Sequence, residues 1–278
     1  MPASRLVRFA LCVAALAAAL VLLFPLYWIV LTSILPTRIT LSRSPPLLPP
    51  LAEITLAAYP AVFGRKPMLT WLFNSATVTL GTMALTLVVA ALAGYSLSRF
   101  RTAAQETLGF ALLASKMLPS SLIVIPFFIL FTAMGLIESK AGLILANSAA
   151  ATPFATWLLK GFFDAIPREL EQAAMIDGCN ELQAFRRIVL PLARPGLAAS
   201  AAYVAIVAWA DLIFARTLTT RPENWLVTVG LQSFMGEYLV DWPALMAGAT
   251  VSILPMLALF FVIEPHLVRG MSRGALAN

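Results

Sequence analysis

Charge is scarce in this chain. Charged residues make up 12% of its 278 residues, whereas apolar residues make up 60%. Soluble domains carry about 25% charged residues. The composition therefore excludes an ordinary soluble domain and predicts a chain that lies largely in lipid.

Residues that carry out covalent or metal chemistry are equally few. The chain has two cysteines, Cys12 and Cys179, and one histidine, His266. The cysteines fall in an apolar segment and in a polar loop, so we expect neither a disulfide nor a metal site. The sequence lacks the Gly-rich phosphate-binding motif, which excludes ATP binding of the Walker kind. It also lacks the basic and aromatic clusters of nucleic-acid-binding proteins. These absences argue against an enzyme and against a nucleic-acid partner.

Long apolar segments are present instead. Six can be drawn, over 8–33, 72–98, 111–134, 141–161, 197–218 and 242–263. Each is expected to be helical, because only a helix satisfies its own backbone hydrogen bonds in lipid. The first continues uncharged to Ile34 and carries Tyr27 and Trp28, so we interpret it as a retained helix rather than a signal peptide. The predicted fold is an all-α membrane protein with six transmembrane helices in a single domain over 1–278.

The distribution of Lys and Arg predicts the orientation. With the amino terminus inside, eleven basic residues, Arg101 among them, fall on the cytoplasmic side and seven fall outside. Both termini and the loop over about 162–196 are then cytoplasmic. The loop over about 35–70 is external and rich in proline, which predicts an extended, semi-rigid backbone. It is either a surface for an extracytoplasmic partner or a passive linker.

The most specific pattern is a polar stretch between the fourth and fifth apolar segments. It reads Glu171-Gln172-Ala173-Ala174-Met175-Ile176-Asp177-Gly178 and is followed after nine residues by Ile188-Val189-Leu190-Pro191. We predict a short amphipathic helix, a tight turn at Gly178 and a second short helix, lying against a cytoplasmic partner. Ala173 and Ala174 are expected on the face that approaches this partner. The alternative, an ordinary solvated loop, would not need this spacing.

Two ionisable residues lie inside apolar segments, where a charge costs about 2.5 to 3.5 kcal/mol on insertion scales. Asp211 is about 21 Å along a helix from the cytoplasmic start of its segment. It either lines a transport path or makes structural hydrogen bonds. Lys116 is expected at the cytoplasmic edge of the third segment, where it can reach the interface, with a path role as the alternative. Two further residues are candidates for the path, Trp209 and Asn147. Trp209 either stacks on a sugar or packs against other helices.

Proline interrupts the third apolar segment twice. Pro119 and Pro126 each remove a backbone hydrogen bond and should kink the helix. Such kinks suit a transport path if they free carbonyl groups toward a cavity. Packing against neighbouring helices is an equally ordinary cause.

The polar stretch resembles the E-A-A-x-x-x-G-x9-I-x-L-P signature of ABC import permeases, with Gln172 in place of the first Glu. Over nearly its whole length the chain is similar to the MalG-like branch of carbohydrate ABC importer permeases. The similarity includes ATWLLKGFF over 155–163, Val268-Arg269-Gly270 and Gly274-Ala275. It also includes Trp209-Ala210-Asp211, where the family usually has Trp-Asn-Asp.

The resemblance implies a type I importer permease in the cytoplasmic (inner) membrane of a bacterium or archaeon. A homologous second permease would complete the path, and a dimer of ABC ATPases would bind ATP and Mg, so that this chain needs no cofactor. An extracytoplasmic solute-binding protein would deliver a sugar or a sugar-like polyol derivative. The polar stretch would be the coupling helix, with contacts to the ATPase from Glu169, Glu171, Gln172, Ala173, Ala174, Asp177, Gly178, Ile188, Leu190 and Pro191. Because Gln172 is neutral, Glu171 or Glu169 is expected to supply the missing carboxylate.

Other functions remain open at this point. An importer for another small solute would share the coupling loop. An ion-coupled secondary transporter would carry intramembrane carboxylates and inverted repeats, but Asp211 stands almost alone and no repeat is visible. A membrane scaffold would explain the helices but not the polar stretch, whose Arg186 and Arg187 are expected to face lipid headgroups or an acidic partner surface.

Overall fold

The computed structural model describes the backbone of residues 5–100, 102–236 and 240–274, with side chains over 7–100, 102–236 and 240–266. Arg101, the side chains of the C-terminal similarity over 268–270 and all of Ala275 lie outside these ranges. Within them the regular structure is helical apart from one bridge between Met235 and Val240. This confirms the predicted all-α class.

The helices follow one another along the chain with short connections. The α-helices are α1 (Arg5–Ser33), α2 (Thr37–Thr40), α3 (Ala58–Arg65), α4 (Met68–Arg99), α5 (Ala103–Ser115), α6 (Ser120–Ala133), α7 (Lys140–Asp164), α8 (Arg168–Ile176), α9 (Glu181–Ala184), α10 (Leu190–Leu192), α11 (Arg194–Trp209), α12 (Ile213–Leu218), α13 (Val227–Gln232) and α14 (Trp242–Gly274). Leu51–Glu53 and Pro222–Asn224 form 3-10 helices, and Phe185–Val189 forms a π-helical turn.

Four of the described helices are long and apolar enough to cross a membrane, over Val7–Ser33, Met68–Arg99, Lys140–Asp164 and Trp242–His266. Two bent pairs raise the number to six if each pair is one span. They are α5 with α6, bent by 103°, and Glu181–Leu192 with α11, bent by 75°. The expected six spans fall within this range, but the third and fifth are not continuous helices.

The third apolar segment breaks where the sequence predicts only a kink. α5 ends at Ser115 and α6 begins at Ser120, with Pro119 in extended conformation as the N-cap residue. Since proline has no N–H to donate, it begins the second helix instead of bending one helix. Pro126 does lie inside α6. The position expected for Lys116 assumes one straight helix, which the structure does not show.

The fifth apolar segment also breaks, because α11 ends at Trp209 and α12 begins at Ile213. Asp211 thus lies between two helices rather than inside one.

The chain divides into two compact units. The first comprises residues 1–69 and 231–254. No residue in the most apolar 18-residue window of α1 is buried, so this helix presents its apolar side chains outward, as lipid or an apolar partner requires. The proline-rich loop of this unit, over about 35–70, is only partly extended as predicted, because residues 58–65 form the helix α3. Thr55 N donates to Ile34 O at 2.9 Å and Arg38 contacts Glu53.

The second unit comprises residues 70–230 and 255–278 and contains α5 to α12 complete. Its helices approach closely through small residues. A Cβ on Gly94 of α4 would lie 2.9 Å from Thr156 O of α7, and one on Gly196 of α11 would lie 2.4 Å from the Phe162 ring. Glycine at position 94 lets α4 and α7 pack backbone to backbone, and glycine at position 196 leaves room for the Phe162 ring. One buried cluster joins α4, α7 and α11 to the polar loop and contains Ala90, Ala155, Leu159, Phe163, Phe185, Val189 and Val204.

Candidate functional site

The polar stretch folds as the sequence predicts, into a helix, a turn and a second helix. α8 begins after Pro167 and ends at Ile176. Gly178 has φ +90°, a conformation that side-chain-bearing residues rarely adopt. Asn180 then caps the second helix reciprocally with Gln183, whose N–H donates to Asn180 Oδ1 at 2.9 Å. These local contacts fix the angle between the two short helices.

The second half of the stretch packs against the membrane helices. Phe185 and Val189 are buried in the cluster that contains Phe163, and Leu190 packs at its edge. Ile188 is half-buried and Pro191 is exposed. Phe185, Val189 and Leu190 therefore attach the loop to the rest of its own unit.

The outward face of α8 carries both polar and apolar side chains. Its exposed residues, together with Asp177 that follows, are Arg168, Glu169, Leu170, Gln172, Ala173, Met175, Ile176 and Asp177. Ile176 is 87% exposed, and Leu170 and Met175 are exposed as well, so α8 leaves several apolar side chains outside the fold of this chain. Ala174 is buried inside the chain at 7% exposure. The expectation that Ala174 faces a partner is therefore wrong, whereas Ala173 does face outward.

A buried ion pair ties α8 to α4. Arg99 Nε donates to Glu171 Oε1 at 2.6 Å, and the Tyr95 hydroxyl donates to Glu171 Oε2 at 2.6 Å. The Arg99 and Glu171 side chains are 10% and 8% exposed. Arg99 also donates to the carbonyl oxygens of Phe163 and Ile166 at 3.0 and 3.2 Å. One guanidinium thus holds together the last residues of α4, the end of α7 and the first turn of α8.

A second arginine adds to this anchor from α8 itself. Arg168 Nη2 donates to the carbonyl oxygens of Ser98 and Arg99 at 3.0 and 2.9 Å. These carbonyls terminate α4, where helix carbonyls have no intrahelical partner. The last turn of α4 and the first turn of α8 are therefore held together from both sides.

This anchor corrects the role expected for Glu171. A carboxylate already paired with Arg99 inside the chain cannot also replace the missing charge at Gln172, so only the exposed Glu169 remains for that role. Sequence reasoning missed Tyr95 and Arg99 as site residues. The available signal was Arg99 itself, a charge at the end of an apolar segment, which served only to predict orientation.

Asp211 and Asn147 form the second group of candidates. Asp211 accepts hydrogen bonds from Phe214 N at 3.1 Å and Ala215 N at 3.0 Å, which caps the first turn of α12. Asn147 Nδ2 donates to Asp211 Oδ2 at 3.2 Å and to Leu143 O at 3.0 Å. Asn147 is buried. These contacts favour the structural alternative for Asp211, because both of its oxygens are in use.

Lys116 lies apart from that pair. Its Nζ donates to Ala150 O at 2.7 Å, and Ala150 is the eleventh of the 25 residues of α7. The ammonium group is thus near the middle of a membrane helix and not at its edge, which overturns the interfacial placement.

Trp209 is half-buried at the end of α11. The structure joins Asn147 to Asp211 but does not bring all four path candidates into one cavity.

Comparisons with known proteins point to one class. Residues 86–273 match the family described as "Binding-protein-dependent transport system inner membrane component". The chain is 34% identical to the sulfoquinovosyl glycerol transport system permease protein SmoH of Agrobacterium fabrum, over 91% of this chain and 88% of that protein. It is 34% identical to the maltodextrin transport system permease protein MdxG of Bacillus subtilis, over 79% and 80%. A solved bacterial ABC transporter involved in the import of the acidic polysaccharide alginate has a chain that matches with TM-score 0.78 and 26% identity, over 95% and 98%.

Proposed function

Because the chain belongs to the family of binding-protein-dependent transport system inner membrane components, we propose that it is the permease subunit of an ATP-driven importer for a carbohydrate. It is a membrane transport component and not an enzyme. ATP and Mg would be bound by a separate ATPase dimer, so this chain would need no cofactor of its own.

The anchored helix α8 is the observation that carries the proposal. Its outer face is exposed, while Glu171 and Ala174 on its inner face are buried. A helix that docks on an ATPase must transmit movement, so it has to be fixed to the membrane helices. The Arg99–Glu171 pair and the Phe185 cluster supply that attachment. Movement of the ATPase would then bias α4 and α7 between inward and outward arrangements.

The remaining partners follow from the same proposal. A homologous second permease would cover part of the apolar surface left exposed in this chain, and lipid would cover the rest. An extracytoplasmic binding protein would deliver the solute. Both termini and α8 would be cytoplasmic, with the loop over about 35–70 outside.

Carbohydrate is favoured as the solute because relatives named for sugars cover most of this chain. An importer for another small solute is the alternative. An ion-coupled secondary transporter is less well supported, since Asp211 is occupied in capping α12.

Replacing Ala173 by tryptophan tests the coupling role of α8. Ala173 is exposed, so the chain should fold, but the indole would hold the ATPase away from the helix. Overpacking at a docked surface costs about 1 to 3 kcal/mol, which weakens association about 5- to 150-fold. Copurification of the ATPase in detergent and ATP hydrolysis by the reconstituted importer measure the effect.

The matched control is Ala104→Trp, the same exchange at an exposed alanine of α5 outside the loop. This variant should keep full association and hydrolysis. If Ala173→Trp also keeps both, α8 is not the coupling element and the proposed function loses its main support.

Thiol labelling tests the orientation. Cys179 is half-exposed and follows the Gly178 turn. In a Cys12→Ser background, a membrane-impermeant maleimide should label Cys179 in inside-out vesicles and not in intact spheroplasts. A cysteine at the exposed Leu48 of the proline-rich loop, with both native cysteines replaced, should show the opposite pattern. Labelling of Cys179 from outside would reverse the proposed topology.

A further inference from the structure

A small cavity lies beside the break between α5 and α6. Its volume is about 190 Å³, and it is walled mainly by apolar side chains, among them Ile123, Phe127, Pro153 and Phe214. The polar side chains that line it are Lys116, Ser115 and Ser120. Apolar walls with a few placed polar groups are the usual composition of a site for a small organic solute.

The ammonium group of Lys116 forms no ion pair with any carboxylate that the structure describes. Among the described residues the ion pairs are Arg38–Glu53, Arg99–Glu171 and Lys160–Asp164, so no described carboxylate lies within 4.0 Å of Lys116 Nζ. Its bond to Ala150 O uses one of three N–H donors and supplies no negative charge. Lys116 is exposed in this chain, so its two remaining N–H donors are open to a ligand, and an ionisable residue at the level of the middle of a membrane helix is expected to face a water-filled cavity or a partner.

The start of α6 adds to the positive potential at this place. Ser120, its first residue, lines the cavity, and the N-cap residue Pro119 makes no side-chain capping bond. The first N–H groups of a 14-residue helix carry a partial positive charge. The hydroxyl of Ser120 is a further possible donor on the same side of the cavity.

From this geometry we propose that the cavity binds an anionic group of the transported carbohydrate, a carboxylate or a sulfonate, with Lys116 as its direct counter-charge. The proposal rests on the proposed importer function and narrows its substrate class to acidic sugars. The volume is below the 300 to 1,000 Å³ or so of a complete ligand pocket. The site therefore holds the charged group and adjoining ring carbons, with the rest of the solute outside this chain's cavity.

Lysine methyl NMR on the assembled importer in nanodiscs tests the proposal directly. The four lysines of this chain, Lys66, Lys116, Lys140 and Lys160, are ¹³C-dimethylated, which keeps their charge. The resonance lost in Lys116→Arg identifies Lys116. Three sugars that differ only at C6 are then titrated: glucose, glucuronate and 6-deoxy-6-sulfoglucose. We expect a saturable shift of the Lys116 resonance with either acidic sugar, no shift with glucose, and no change at the other three lysines.

Other outcomes overturn the anion site. An equal response to glucose would mean recognition without charge. No response to either acidic sugar would also overturn the anion site. A Lys116 resonance that moves only when the second permease assembles would mean that Lys116 pairs with a carboxylate of that subunit instead of with the sugar. Copurification of the ATPase with the unsubstituted importer is scored separately. If the ATPase is present and the acidic sugars have no effect, only the anion site fails; if the ATPase is absent, the proposed function itself fails.

A pair of variants links binding to the charge. Lys116→Gln should weaken binding of glucuronate, measured by saturation-transfer NMR on the sugar, about tenfold or more, because a hydrogen bond to a charged group is lost. Lys116→Arg keeps the positive charge and should retain most of the affinity. Equal loss in both variants, with the yield of assembled importer unchanged, would show that the positive charge is not what binds the sugar and would contradict the proposal.

Discussion

Replacing Arg99 by methionine is expected to loosen α8 from the membrane helices and to abolish ATP-driven uptake. The substitution leaves the Glu171 carboxylate buried without its counter-charge, and it removes the donors to Phe163 O and Ile166 O. Removing one member of a buried ion pair costs about 3 to 5 kcal/mol. The free energy of unfolding, the uptake of solute and the copurification of the ATPase are the measurements.

The double variant Arg99→Met/Glu171→Leu separates charge from packing. Because it removes both charges, it should recover part of the stability lost in Arg99→Met, although α8 would still lack its anchor and uptake should stay low. Lys160→Met is the matched control, since the Lys160–Asp164 pair is partly exposed, at 27% and 38%. Such a pair contributes at most about 1 kcal/mol. Equal stability of Arg99→Met and Lys160→Met would contradict the anchoring role.

Replacing Asp211 by alanine is expected to destabilise the second unit and reduce assembly of the importer. The variant loses the cap of α12, worth up to about 2 kcal/mol. It also leaves the buried Asn147 amide without one acceptor, at a cost of about 1 to 3 kcal/mol. Thermal unfolding and the yield of assembled complex measure the loss.

Asp211→Asn distinguishes the structural role from a path role. An amide has one acceptor oxygen in place of two, so it cannot accept from Phe214 N and Ala215 N as well as from Asn147. The structural role predicts reduced stability with transport lost in proportion. Full stability with altered uptake would instead place Asp211 in the path. Asp241→Ala is the control, because the exposed Asp241 side chain accepts from Ala244 N near the start of α14 and should cost less.

The large predicted effect at Arg99 has a mechanical meaning for the proposed importer. Arg99 and Glu171 are 72 residues apart in sequence, yet their pair joins the ends of two membrane helices to the helix that would meet the ATPase. A loosely attached α8 could still dock, but its movement would not reach α4 and α7. We therefore expect Arg99→Met to lose uptake even if some ATPase binding remains.

The sequence by itself determined the class of the protein and the local structure of the polar loop. Low charge and long apolar runs require a helical membrane chain, because only helices satisfy backbone groups in lipid. The turn at Gly178 and the cap at Asn180 are set by neighbouring residues, so their chemistry can be recognised in the sequence.

Only the tertiary structure decided where the apolar segments break and which polar groups meet. An apolar run has the same composition whether it is straight or bent, so the 103° bend at Pro119 and the break before Ile213 did not show in hydrophobicity. Glu171 is buried because packing brings Arg99 and Tyr95 to it. Lys116, which follows the end of α5, reaches Ala150 O near the middle of α7. Such contacts join residues distant in sequence, and their geometry is set by how the helices pack rather than by any local pattern.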